Sequence, residues 1–97
     1  MEIKEITVKQ VREILETIIT NSKALAELSQ MSDENLLDTD TDIAKKFGLD
    51  SLDVEELFAE IYYQYGIRIS DADIDRFREK PTAENFIRIC NDCGYGV

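Results

Sequence analysis

The sequence predicts an all-α fold, a small antiparallel four-helix bundle with a long first loop and a short third helix. Apolar residues recur three and four apart in several stretches, a spacing that gathers them on one face of a helix. A single proline and four glycines leave few interruptions. No segment shows the two-residue alternation of a half-buried strand. With 97 residues and a hydrophobic fraction of 43%, the chain suits one modest core, and residues 1–97 are expected to form a single domain.

The first helix is expected from about Val8 to Asn21, with an extension through Leu28 as the alternative. Thr7 and Gln10 have the spacing of a capping box, and Ile6 and Val11 could form the accompanying staple. Val8, Val11, Leu15 and Ile18, with Ile14 and Ile19 alongside, make its core stripe. From Asn21 to Leu49 the pattern is least regular. Ser22 to Met31 could continue the first helix or form a short one. Asp42 is placed to cap a segment Ile43–Phe47, and Leu36, Leu37, Ile43 and Phe47 are candidates to plug the core.

The second main helix is expected over Ser51 to Tyr65. Asp50 is its natural N-cap, which puts Ser51 at the first helical position. Leu52, Val54, Leu57, Phe58, Ile61 and Tyr65 recur at helical spacing, and Asp53, Glu56 and Glu60 lie on another face. Gly66 can end the helix in the left-handed conformation. Ile67 and Ile69 then return to the core. Ser70 begins a short third helix to about Phe77, with Ile74 and Phe77 inward and Asp71 and Asp73 at its amide end. After Pro81, Thr82 caps a final helix. Phe86, Ile89, Cys90 and Cys93 share one of its faces, and Gly94 ends it.

Charge narrows the partners. The net charge of −10 is concentrated between residues 32 and 60, where ten acidic residues face two basic ones. Such a surface repels nucleic acid and suits a basic protein partner. No apolar run is long enough to span a membrane, and Met1 to Thr7 lacks a signal-peptide core. A cytoplasmic monomer is therefore expected.

Few catalytic options are open. Without histidine there is no Ser-His-Asp triad, and no glycine-rich phosphate loop is present. Asp38, Asp40 and Asp42 match the first three ligand positions of a calcium loop. Ile43 then stands where the loop needs glycine and Leu49 where it needs glutamate, so no specific metal site is expected. Two cysteines are too few for a structural zinc. Cys90 and Cys93, on an apolar face, read as buried reduced thiols rather than a redox pair.

The run Phe47-Gly48-Leu49-Asp50-Ser51-Leu52-Asp53, the acidic helix after it, and Tyr65-Gly66-Ile67-Arg68-Ile69 together resemble the acyl carrier proteins, most clearly from about Thr41 to Ile89. The resemblance implies a helical bundle and a non-catalytic shuttle. It implies that Ser51 bears a covalent 4'-phosphopantetheine arm whose thiol carries acyl groups as thioesters, for a fatty acid, polyketide or specialised lipid pathway. A phosphopantetheinyl transferase would supply the arm from coenzyme A with its own magnesium, and Asp50 lies at the family position near that metal. Leu52, Asp53, Glu56, Ala59 and Glu60 match positions where partner enzymes dock. Leu57, Phe58, Ile61, Ile67, Ile74 and Phe86 could line an acyl cavity or equally form an ordinary core. The first loop is several residues longer than is usual in the family. Tyr62, Tyr63, Lys45 and Lys46 stand where acids are frequent, and Glu55 where an apolar residue is common, which implies dedicated partners. An aminoacyl or peptidyl carrier, or an acidic interaction module without an arm, are the alternatives.

Overall fold

The computed structural model describes residues 5–96. Residues 1–4 and 97 of the expected domain, and with them most of the Met1 to Thr7 stretch, lie outside that description. The described chain is an all-α bundle, α1 (Val8–Ile18), α2 (Ser22–Gln30), α3 (Asp33–Leu36), α4 (Ile43–Phe47), α5 (Ser51–Tyr65), α6 (Asp71–Glu79) and α7 (Ala83–Asp92). The four helices expected from the sequence are α1, α5, α6 and α7. The long first loop adds three more, α2 to α4, of nine, four and five residues. Two short strands, β1 (Ile67–Arg68) and β2 (Tyr95–Gly96), pair antiparallel, with Ile67 opposite Gly96 and Arg68 opposite Tyr95. A two-residue ladder is too short to leave a periodic signal in the sequence.

Helix α1 begins as expected. The Thr7 amide donates to Gln10 Oε1 at 3.0 Å, and the Thr7 hydroxyl turns to the same oxygen. It ends at Ile18, short of Asn21, because Asn21 caps a new helix instead. The Asn21 side chain accepts from the amides of Lys23 and Ala24. The Ser22 to Met31 stretch is therefore a separate helix rather than an extension of α1. Arg12 locks it in place. Its guanidinium donates to the carbonyls of Leu28 (2.7 Å) and Met31 (2.8 Å) and pairs with Asp33 at 2.9 Å.

Helix α1 lies against α5 and α7, and α6 closes on both α5 and α7. Val11, Ile14, Leu15, Leu28, Leu36, Ile43, Leu57 and Ile61 are fully enclosed. Of the loop residues expected to plug the core, Leu36, Ile43 and Phe47 are buried and Leu37 is half-buried. Phe58, Phe77 and Phe86 form a triangle with centroids 4.9 to 5.7 Å apart. Two of its three contacts are edge-on, the geometry aromatic rings prefer. Helix α6 runs two residues past Phe77, to Glu79, with Arg76 and Arg78 favourably placed at its carbonyl end.

Two ties close the fold. Asn91 accepts from the Ile6 amide at 2.7 Å and donates to the Ile6 carbonyl at 3.0 Å. The Ile43 amide donates to the Pro81 carbonyl at 2.9 Å, beside a bridge between Asp42 and Thr82. The second tie fixes the segment leading to α5 against the entry to α7.

Candidate functional site

Three caps place Ser51. Asp42 accepts from the Lys45 amide at 2.8 Å and starts α4. Gly48 ends α4 with φ +68°, a conformation that L side chains resist. The chain then turns through Leu49 to Asp50. Asp50 Oδ1 accepts from the Asp53 amide at 2.9 Å, and Asp53 Oδ2 accepts from the Asp50 amide at 3.0 Å. This reciprocal box pairs the Asp50 and Asp53 amides and does not use the Ser51 side chain. The Ser51 hydroxyl stands exposed at the first position of a 15-residue helix. The amide end of such a helix favours a phosphate, so the residues present fit an arm attached there through a phosphodiester.

The expected docking residues run up one side of α5 from that point. Leu52 is 71% exposed, an unusual setting for leucine, and Glu56 is exposed. Asp53, Ala59 and Glu60 are half-buried. Glu60 accepts from the Gln64 carboxamide at 2.9 Å. Tyr62 and Tyr63 extend this side with exposed rings, and Lys45 and Lys46 are exposed on α4.

The six residues considered for an acyl cavity separate into two groups. Leu57, Ile61 and Phe86 are fully enclosed in the core and do not line the open cavity between α5, β1 and α6. Phe58, Ile67 and Ile74 line an open cavity of about 350 Å³ between α5, β1 and α6. Its rim was not anticipated: Glu55, Tyr62, Arg68 and Tyr95 surround the apolar floor. Arg68 lies over the Tyr62 ring, 5.0 Å from its centroid. Gly94 lets the last strand approach, since a Cβ there would sit 2.5 Å from Ile67 Cγ2 and against the Cys90 carbonyl. No periodicity could have announced this rim, because the two-residue ladder brings Tyr95 beside Arg68.

A second, smaller groove of about 170 Å³ lies at the serine itself. Asp50, Ser51, Leu49, Val54, Pro81 and Arg78 border it. Arg78, 27 positions from Ser51 in the chain, is the residue that sequence reasoning missed. Its local spacing to Asp75 marks only a surface pair.

The remaining candidates fall away from the site. Asp38 accepts from the Asp40 amide and Asp42 caps α4, so both carboxylates are engaged by backbone. Both cysteines are free thiols. Cys90 is buried, and that burial, aided by Cys93, pushes its thiol up to about 12. Cys93 is only half-buried, so its side of the expected buried pair is open.

Compared with known proteins, residues 22–90 match the family model described as the phosphopantetheine attachment site. No curated protein and no solved structure matches significantly.

Proposed function

The chain belongs to the phosphopantetheine attachment site family, and on that premise we propose that Ser51 is the attachment residue of an acyl carrier. The family match makes the chain a carrier of covalent 4'-phosphopantetheine, of a kind generally without catalysis of its own. The finer reading is that residues 1–97 act as one carrier domain that presents acyl thioesters to enzymes building a fatty acid, a polyketide or a specialised lipid. The observation that carries it is the exposed Ser51 hydroxyl, left out of the Asp50–Asp53 capping box.

Loading forms a bond from Ser51 Oγ to the pantetheine-bearing phosphorus of coenzyme A. It breaks the diphosphate linkage, releases adenosine bisphosphate and sends the hydroxyl proton to a base. Asp50 Oδ1 and Asp53 Oδ2 each accept one backbone amide and leave the second carboxylate oxygen free; by the family resemblance the transferase supplies the base, and Asp50 lies beside the magnesium it brings. The acidic side of α5, with Leu52 at its head, would then receive basic partner surfaces. Exposed Tyr62 and Tyr63 and the Lys45–Lys46 pair favour dedicated partners over general ones.

Intact mass after incubation with coenzyme A, magnesium and a broad-specificity transferase tests the assignment. One added arm is expected on the wild type and none on Ser51→Ala. An arm that persists in the variant would move the attachment elsewhere.

A further inference from the structure

Arg78 has one firm partner and one loose one. Its Nη1 pairs with Asp75 at 2.9 Å, whereas Nη2 stands 3.9 Å from Glu55. A charge-assisted hydrogen bond measures roughly 2.7–2.9 Å, so the Glu55 side of the guanidinium is under-used. The side chain is one-third exposed and, among the described residues, is the sole cation bordering the groove beside Ser51. Ala44, Leu49, Val54 and Pro81 supply the groove's apolar walls, and Ser51 and Asp50, whose Oδ1 accepts from the Asp53 amide, complete its border.

We propose that this groove is a berth for the root of the phosphopantetheine arm, with Arg78 receiving the phosphodiester and Leu49, Val54 and Pro81 receiving the branched carbon segment next to it. The inference rests on Ser51 being the attachment residue. A guanidinium presents donors in a planar fork that matches two phosphate oxygens, and a phosphodiester keeps a single negative charge. It therefore competes with the distant Glu55 carboxylate for the loosely held donor. Size limits what enters. A water occupies about 30 Å³ of liquid, so about 170 Å³ accepts the phosphate and its branched neighbour and leaves the rest of the arm outside. The root is held, and the thiol end stays free to reach partners. Were Arg78 only a brace between α6 and α5, loading would leave its surroundings unchanged.

The test is heteronuclear NMR on the full, isotope-labelled chain carrying an unlabelled arm, with loading established by intact mass. Cross-peaks are expected from the arm's geminal methyls to Val54 and Leu49, together with a shift of the Arg78 Nε–Hε resonance on loading. In Arg78→Gln the cross-peaks should disappear while the unloaded spectrum keeps its dispersion. Arg78→Lys, which keeps the charge, should retain part of them. Should the glutamine variant fail to fold, the wild-type cross-peaks decide alone. A correctly loaded wild type without contacts from the methyls to the groove overturns the berth and leaves the Ser51 assignment standing. A protein that takes no arm at Ser51 overturns both.

Discussion

At its amide end α5 turns Ser51, Leu52, Glu55 and Glu56 to solvent and is held by two polar bonds between Asp50 and Asp53. Two turns later the same helix is held by apolar contact, where Phe58 meets Phe77 and Phe86 and Ile61 is sealed in the core. The contrast separates two duties. A residue that must be modified and then handled by other proteins needs an exposed side chain on a backbone that does not move. Reciprocal capping supplies that without covering the site. The aromatic half supplies most of the free energy that keeps the helix in place, because apolar burial outweighs the modest net worth of exposed hydrogen bonds.

Three substitutions or conditions probe this division. Phe58→Ala should have the largest effect, a loss of about 3–5 kcal/mol in urea-unfolding stability, since it empties one corner of a closed aromatic triangle. The folded fraction should still accept the arm at its ordinary rate. A loading rate that falls while the protein remains folded would show the two halves to be coupled. Asp50→Ala should cost about 1 kcal/mol, the usual worth of a cap, with the Phe77 and Phe86 ring resonances unmoved. Ring shifts in that variant would break the separation from the other side.

The smallest effect concerns pH. Burial raises the Cys90 thiol from 9.0 to about 12, so the folded state holds this proton more tightly than the unfolded chain. The stability contributed is fully present below pH 9 and is lost as pH rises toward 12. Tyr65, also raised, by burial and then by Glu13, acts in the same direction. Comparing unfolding across this range in wild type and Cys90→Ala isolates the thiol. A Cys90→Ala profile as steep as that of the wild type would mean that water reaches the α7 side of the core.

Local chemistry made much of the fold legible. The starts of α1, α4, α5, α6 and α7 each carry a capping residue, and α5 ends at Gly66 as its left-handed φ of +70° requires. What stayed hidden depends mostly on contacts distant in the chain. The break after Ile18 is the local exception, since Asn21 serves the next helix through the nearby amides of Lys23 and Ala24. The placement of α2 and α3 turns on Arg12, whose acceptors lie 16 to 21 positions away. At the candidate site the serine and its caps could be read directly, because they are neighbours in sequence. Arg78 could not, since only the packing of α6 against α5 brings it to the groove. The cavity rim escaped for the same reason, its Tyr95 arriving by the β ladder.

The Asn91 clasp on Ile6 joins positions 85 apart. Bringing the ends of so long a loop together reduces chain entropy by an amount on the order of 4 kcal/mol. Two hydrogen bonds return only about 1–3 kcal/mol net. The clasp is therefore too weak to gather the chain on its own. It can close only once Ile6 and the stripe of α1 have already docked on α7, which makes it a late event in folding, a latch rather than a nucleus.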